Sequence, residues 1–303
     1  MDKTSQRNFK KLFLGRFFMK LKLYHAKWSL CSQMVRVAME EKGLSYESIL
    51  IKLCDQYPEA ENLSPEYLAI NPKGIVPSLD LDGEIVTEST NIIKKLNSIS
   101  GEIDMDLWPV GVDQEKLNTW VEDTTLTDGV PLGKTLGTAI PPFSIILINF
   151  MVKKYLSIFQ AIKVFWKHPL RERGRFFLVM KFFNIQKPVA ARCYKVMAKS
   201  LVDIEKHLEN SGPYFLGKFS HIDINLMCCL HRLTDIRLEK ILKMEELPNL
   251  KNYWALLKSR ASYQKCILDF YGEKENGDIE EVFGPNVSMH LEPLKSMIKK
   301  YKT

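Results

Sequence analysis

The 303-residue chain lacks the cysteine spacing of a disulfide framework or of a zinc site. Its six cysteines include no C-x-x-C pair, and most stand within apolar runs, where free cysteine behaves as a small buried hydrophobe. No group of His, Cys or carboxylate residues has metal-ligand spacing, so the sequence implies no metal. Reduced cysteines are typical of the cytoplasm, and we predict that compartment.

Long hydrophobic runs are also absent. The longest, Phe143 to Val152, ends at Lys153-Lys154, whereas a membrane-spanning helix needs about 20 apolar residues. Residues 1–18 are basic and contain several large apolar side chains, but Arg16 divides them and no small-residue cleavage site follows. We therefore predict residues 1–19 to be an extension, either disordered or a surface arm, rather than a secretory signal.

Two kinds of periodicity follow one another along the chain and predict two domains. Alternating apolar residues and turn signals over residues 20–100 indicate strand, helix, strand, then a hairpin at Asp82-Gly83 and a helix from Ser89. This order is typical of a compact α/β unit with one mixed sheet. Helical periodicity then predicts an all-α domain over 105–275, with its clearest helix from Pro188 to Asn210, and a polar tail over 276–303.

A turn near the start of the first domain carries the chemistry. The first strand ends at Tyr24-His25, and Trp28-Ser29-Leu30-Cys31-Ser32 leads into the first helix. A helix N-terminus presents unpaired N–H groups, and its dipole favours a thiolate over a thiol. The turn is therefore a candidate site for sulfur chemistry.

Three segments of the first domain stand out together by their order and spacing. They are Ser29-Leu30-Cys31-Ser32-Gln33-Met34-Val35-Arg36, Asn71-Pro72-Lys73-Gly74-Ile75-Val76-Pro77-Ser78-Leu79 and Thr87-Glu88-Ser89-Thr90. Taken together, they resemble the glutathione transferase superfamily. The resemblance implies a thioredoxin-like N-terminal domain, glutathione as co-substrate, a small hydrophobic electrophile and a homodimer. The first segment resembles the zeta class and the tetrachlorohydroquinone dehalogenases, whereas residues 228–233 and the long middle region are similar to the ganglioside-induced differentiation-associated proteins.

The resemblance also assigns a glutathione site. It implies that Pro77 follows a cis peptide bond and presents the Val76 backbone to the cysteinyl part of the tripeptide. Glu88 would face the γ-glutamyl ammonium, Ser89 would hold the γ-glutamyl carboxylate, and Lys73 would meet the glycyl carboxylate. Out of this context, Pro77 reads as a strand-edge proline, and Glu88 with Ser89 as an ordinary capping pair.

Two residues compete for the role at the sulfur. Ser29 matches the position whose hydroxyl hydrogen-bonds the glutathione thiolate in the zeta and theta-like classes, which lowers the pKa of that thiol. Cys31 matches the position that forms a mixed disulfide with glutathione in the dehalogenase branch. The structural alternatives are an N-cap for Ser29 and a small buried hydrophobe for Cys31.

The middle of the second domain is strongly basic. Residues 131–200 contain thirteen Lys and Arg against one acid, Glu172, a net charge of +12 in a chain whose total is +7. Aromatic blocks are interleaved with this charge, which suggests a peripheral contact with an anionic membrane. The alternative is that these blocks pack within the protein or against a dimer mate. Because no nucleic-acid-binding module accompanies the charge, we predict no nucleic acid partner.

Two functions of different classes remain. The first is a glutathione-dependent enzyme that conjugates, reduces or dehalogenates an electrophile. The second is a protein that keeps the fold but acts as a membrane-surface or interaction module. The presence of Ser29, Cys31, Pro77, Glu88 and Ser89 together favours the enzyme.

Overall fold

The computed structural model describes residues 19–127 and 129–302, apart from the side chain of Gln186. The predicted N-terminal extension, except Met19, lies outside the described residues. The described chain begins with a mixed sheet in the order β2-β1-β3-β4, in which β1 pairs parallel with β2 and antiparallel with β3. The strands are β1 (Leu21–His25), β2 (Glu47–Leu50), β3 (Ser78–Leu81) and β4 (Glu84–Thr87).

The sheet is built by the alternation seen in the sequence. Leu21, Leu23 and His25 of β1 point to the buried side, and Leu23 lies opposite Leu79 of β3. Asp82 and Gly83, which join β3 to β4, both have positive φ, as the tight hairpin turn requires. Three helices complete this domain: α1 (Leu30–Glu41), α2 (Pro65–Ile70) and α3 (Ser89–Asn97). The predicted α/β domain is confirmed.

The rest of the described chain is helical, as predicted, and its helices pack around the central helix α10 (His221–Asp235). Every residue of α10 except Thr234 is buried. Asp223 fixes its start, because its carboxylate accepts hydrogen bonds from the Ser220 N–H at 2.8 Å and the Phe215 N–H at 2.9 Å. The helices are α4 (Gln114–Thr124), α5 (Leu136–Tyr155), α6 (Ile158–Trp166), α7 (Arg171–Phe182), α8 (Gln186–Ala191), α9 (Tyr194–Leu208), α10 (His221–Asp235), α11 (Pro248–Lys258), α12 (Ala261–Cys266), α13 (Glu273–Phe283) and α14 (Leu291–Lys302).

Helix α5 is longer than the apolar run in the sequence indicates. The side chains of Thr135 and Thr138 cap it reciprocally, and Pro141 and Pro142 fit within its first two turns. Among the described residues it is the one helix long and apolar enough to cross a bilayer, but 72% of its most apolar 18-residue stretch is buried inside the protein. That burial is typical of a core helix.

Two sequence expectations for the helical domain are wrong in detail. The helix predicted from Pro188 to Asn210 is interrupted between α8 and α9, at Arg192-Cys193. Residues 276–303 are not a polar tail, because they contain most of α13 and all of α14 up to Lys302. The apolar residues of α14 recur every three or four positions and so form one face, which packs along α9: Leu291, Leu294 and Ile298 are buried.

We expect the face of α14 to stabilise the fold. Leu294→Ala removes a fully buried side chain and should lower the free energy of unfolding by about 2–5 kcal/mol, measured by chemical denaturation. The matched control is Met289→Ala, just before α14, whose side chain is 47% exposed and should change it by less than about 1 kcal/mol. Equal small effects of both substitutions would mean that α14 does not contribute to the core.

Candidate active site

The candidate turn between β1 and α1 is held by a buried guanidinium. Arg36 of α1 is fully buried, and its N–H groups donate to the backbone oxygens of Cys266 (2.8 Å), Lys27 (3.0 Å) and Ala26 (3.1 Å). Burial lowers the pKa of Arg36 to about 10, which still leaves it charged near neutral pH. The loop that precedes the candidate residues is thereby tied to the helical domain.

His25 contacts the same guanidinium and serves a structural role. Burial, with the charge of Arg36 as the smaller cause, lowers its pKa to about 3, so the ring is neutral near pH 7. Its Nδ1 accepts from Arg36 at 3.1 Å, and its Nε2–H then donates to the Ser48 hydroxyl at 2.8 Å. Because the ring is neutral and both of its nitrogens are hydrogen-bonded, His25 links β1 to β2 and α1.

A second buried network fixes Trp28. The indole N–H donates to Asp235 of α10 at 2.9 Å, and the Arg232 guanidinium lies 3.8 Å from the ring centroid and donates to the Trp28 carbonyl oxygen. Burial opposes the charge of Asp235, but His231 and Arg232 hold the pKa of this carboxyl below its ordinary value. Together the two networks position the turn from the α10 side.

One cavity of about 740 Å³ lies between the two domains beside this turn. Its N-terminal side is formed by five residues that the resemblance assigned to the site: Cys31, Val76, Pro77, Glu88 and Ser89. The Val76–Pro77 peptide bond is cis, as the resemblance implied. Three segments of the first domain thus converge on one volume.

Glu88 and Ser89 lie where β4 turns into α3. Glu88 has φ +68°, an unusual backbone conformation for a residue with a side chain, and such strain is concentrated at functional sites. Ser89 is buried and is the first residue of α3. Lys73 does not line the cavity, and its Nζ lies 3.2 Å from a carboxylate oxygen of Glu88. Lys73 therefore contacts Glu88, which lines the cavity, but does not line the cavity itself.

The two candidate sulfur-site residues differ in position. Ser29 is the N-cap of α1, its hydroxyl accepts from the Ser32 N–H at 3.3 Å, and it is not among the residues that line the cavity. Cys31 lines the cavity, is partly exposed, and lies within hydrogen-bonding reach of the Ser89 side chain. The structure brings Cys31 together with the other candidates and leaves Ser29 at the margin.

The structure does not provide the preference for a thiolate that the sequence led us to expect at Cys31. Burial raises the pKa of the thiol, and the nearby Glu88 carboxylate raises it further. The Ser89 side chain and the charges of Arg173 and Arg232 act in the opposite direction but do not outweigh burial. The helix N-terminus is too weak to compensate because desolvation acts on the whole charge of the thiolate.

Four charged residues that line the cavity were missed by the sequence reasoning: Asp55, Arg171, Glu172 and Arg173. Arg173 comes from α7, and Asp55 from the loop after β2. Burial raises the pKa of the Asp55 carboxyl, and the charge of Arg173 opposes that rise. The charge cluster Arg171–Arg175 was a signal for Arg173, although it was interpreted as a surface feature. Nothing in the sequence around Asp55 marks it.

Solved structures share this fold. The beta-etherase LigF from Sphingobium sp. strain SYK-6 superposes with a TM-score of 0.68 at 20% identity, covering 83% of this chain and all of that chain. Glutathione transferase F7 from Populus trichocarpa gives a TM-score of 0.59 at 22% identity, with 83% and 100% coverage. The chain therefore has the two-domain fold of the glutathione transferases.

The sequence matches the same class. Residues 28–99 match the N-terminal domain of glutathione S-transferases, and residues 187–254 match the C-terminal domain. Glutathione S-transferase TCHQD from Arabidopsis thaliana is 24% identical over 82% of this chain and 89% of its own length. The tetrachloro-p-hydroquinone reductive dehalogenase of Sphingobium chlorophenolicum is 25% identical, with 80% and 93% coverage. The chain thus carries segments that match both domains of the glutathione S-transferases, and these long matches are to members of that superfamily.

A zeta-class enzyme from Euphorbia esula is 44% identical over 78 residues, which are 25% of this chain and 32% of that protein. The high identity over one quarter of the chain agrees with the resemblance of the first motif to the zeta class. The similarity to the ganglioside-induced differentiation-associated proteins is not confirmed by these comparisons and stays a prediction.

The charges around Cys31 should control its reactivity. Because the pKa of Cys31 is raised, little thiolate is present near neutral pH, and its alkylation by iodoacetamide should accelerate as the pH rises. Glu88→Gln removes a charge that raises this pKa and should accelerate the reaction at neutral pH, whereas Arg173→Gln should slow it. Mass spectrometry of the peptide that contains residue 31 measures both rates.

Glu84→Gln is the control for this measurement. Glu84 lies on β4, is exposed, and pairs with Lys95 of α3. It should leave the alkylation rate unchanged. Equal rates for Glu88→Gln, Arg173→Gln and the unmodified protein would show that neither charge reaches the thiol.

Proposed function

We propose that this protein is a glutathione-dependent reductase of small hydrophobic electrophiles, in which Cys31 forms a mixed disulfide with glutathione. The observation that carries the proposal is the position of Cys31: its thiol lines the same cavity as Val76, Pro77, Glu88 and Ser89, whereas Ser29 does not. The reductive dehalogenase among the relatives supports the same reaction class.

Glutathione fits the N-terminal side of this cavity by simple chemical matching. The exposed backbone at Val76 pairs with the cysteinyl part of the tripeptide in the manner of an added strand. The Ser89 hydroxyl and the first N–H groups of α3 hold the γ-glutamyl carboxylate, and the Glu88 carboxylate faces the γ-glutamyl ammonium. Lys73, next to Glu88, supplies a positive charge for the glycyl carboxylate.

The second substrate occupies the other side of the cavity. That side is formed largely by apolar residues of the helical domain, which favours a small hydrophobic electrophile. The charge of Arg173 faces the same volume as Cys31. The apolar lining residues are Leu126, Val130, Leu132, Ile145, Ile148, Phe176 and Phe177.

The proposed reaction consumes two glutathione molecules. The first glutathione thiolate displaces halide from R–X and forms R–SG. The Cys31 thiolate attacks the sulfur of R–SG, so that the carbon–sulfur bond breaks, its electron pair stays on R, and R takes a proton to give R–H. A second glutathione thiolate then attacks the Cys31–glutathione disulfide and releases oxidised glutathione. R–X is reduced to R–H, and HX leaves.

A conjugating transferase is the second candidate function. In it Ser29 donates its hydroxyl hydrogen to the glutathione thiolate and lowers the pKa of that thiol. One observation favours it: among the described residues, the Ser29 hydroxyl accepts a hydrogen bond from the Ser32 N–H and donates to no partner, so its hydrogen is available for a ligand. For either reaction we propose a homodimer, as is typical of this family, and a cytoplasmic enzyme.

Two variants, Cys31→Ser and Ser29→Ala, distinguish the reductase from the conjugating transferase. We expect Cys31→Ser to be retained on glutathione resin and to keep conjugating activity, but to lose at least about 100-fold of its rate with a glutathionyl disulfide or R–SG substrate, because serine cannot form the mixed disulfide. Ser29→Ala should retain the reductive reaction within about tenfold. Steady-state assays of both reactions on both variants measure this.

Cys193→Ser is the control, since Cys193 is a buried cysteine at the junction of α8 and α9 and does not line the cavity. It should keep both activities. The reductase is ruled out if Cys31→Ser keeps full reductive turnover, and the conjugating function is favoured if Ser29→Ala alone loses activity. A wild-type protein with neither resin retention nor turnover would leave the non-catalytic interaction module.

A further inference from the structure

Helices α6 and α7 form a hairpin with one buried side. At Gly174 the backbone of α7 lies so close to the Phe165 carbonyl oxygen that an added Cβ would be 2.2 Å from it. The inward side chains make a small hydrophobic core with α5 and with the loop around Cys54. The hairpin is therefore a defined, packed element, and the inward residues are Ala161, Phe165, Phe177 and Met180.

The outward side of this hairpin is apolar as well, which is unusual for a protein surface. Phe159 is 86% exposed, Trp166 is 70% exposed and Phe183, directly after α7, is 63% exposed. Seven large hydrophobic residues of this hairpin are at least 43% exposed, and we call this set the outer face. They are Ile158, Phe159, Ile162, Trp166, Val179, Phe182 and Phe183. So many exposed apolar residues on one short hairpin are typical of an interaction surface.

Positive charge accompanies the outer face along the sequence. Exposed Lys163 lies on α6 next to Ile162, and exposed Lys167 directly follows α6 after Trp166. Arg171 and Arg175 are exposed at the start of α7, where Arg171 also lines the cavity. From residue 157 to residue 183 the sequence has six Lys and Arg and one acid, Glu172. The partner of the outer face must therefore tolerate or supply negative charge.

We propose that the outer face docks on an anionic lipid bilayer. Phenylalanine and tryptophan are suited to the headgroup boundary, where the ring is buried and the polar edge stays hydrated. Lysines beside the rings meet the anionic headgroups. The contact is peripheral, because α5, the described helix with the length of a membrane span, is mostly buried inside the protein.

A second copy of the chain fits the outer face less well. In a two-fold symmetric dimer the same patch faces itself, so a hairpin with six cations and one acid would meet a second hairpin of the same charge. Like charges at an interface cost free energy, whereas an anionic surface gains from every one of them. The charge pattern therefore selects an anionic bilayer over self-association.

Co-sedimentation with vesicles tests the proposal on the full chain. We expect binding to phosphatidylserine–phosphatidylcholine vesicles at low salt, weaker binding at high salt, and little binding to pure phosphatidylcholine. The double variant Lys163→Glu/Lys167→Glu should reduce the affinity on the order of 25-fold or more, at about fivefold per cation. Phe159→Ser/Trp166→Ser should reduce it at both salt concentrations.

The charge-matched control is Lys240→Glu/Lys251→Glu, two exposed lysines outside the hairpin. It should stay within about threefold of the unmodified protein, because a charge further than a Debye length of about 10 Å from the bilayer is screened. The substituted residues do not line the Cys31 cavity, so retention on glutathione resin should be the same for all variants.

Three results would overturn the proposal. The protein stays in the supernatant with anionic vesicles at low salt. The hairpin variants bind vesicles as well as the unmodified protein, which would place the contact elsewhere, for example in the basic residues 1–18. The variants dissociate a dimer in light scattering without changing vesicle binding, which would make the outer face an interface between copies of this chain.

Discussion

The active-site geometry depends on one buried cation. The Arg36 guanidinium joins α1 to the loop that precedes the turn and, through the Cys266 carbonyl oxygen, to the end of α12. A charge in this environment is stable only because its donors are paired and the Phe270 ring lies 4.0 Å below it. A neutral side chain of the same size would remove the donors that Arg36 gives to the Cys266 and Lys27 oxygens, whereas the Ala26 oxygen would keep the Ser29 N–H. The free-energy cost of burying this charge is therefore offset by the hydrogen bonds with which Arg36 joins the two domains at the site.

The same principle explains why the site faces a cavity between the domains rather than open solvent. Trp28 is bound from the helical side by Asp235 and Arg232, so the turn cannot move without breaking contacts to α10. Arg232 also lies close enough to Cys31 to influence its thiol. One helix of the second domain thus positions the turn and contributes to its electrostatics. A glutathione transferase site of this kind is a product of both domains, although most of its named residues belong to the first.

The sequence predicted the first domain well because its signals are local. Alternation defines strands, Asp82-Gly83 defines the hairpin, and the predicted helix start at Ser89 is the first residue of α3. It failed for α14, since a short amphipathic face within a polar segment is judged by overall polarity unless its three-to-four spacing is counted. It also failed for Asp55, because the loop after β2 approaches α7 only through tertiary packing. The choice between Ser29 and Cys31 was open for the same reason: both flank one turn, and the direction of each side chain is set by α1.

The raised pKa of Cys31 clarifies what the site is built to do. A thiol that is mostly protonated near neutral pH is a poor first nucleophile, which agrees with the proposed reaction, in which glutathione makes the initial attack on the electrophile. In that proposal Cys31 attacks a sulfur that is already electrophilic, and Ser89, Arg173 and Arg232 favour its thiolate. Arg173 comes from α7, whose opposite side carries part of the outer face. The hairpin that we infer to contact the bilayer therefore also forms a wall of the cavity, and a hydrophobic electrophile dissolved in lipid would meet the site next to that wall.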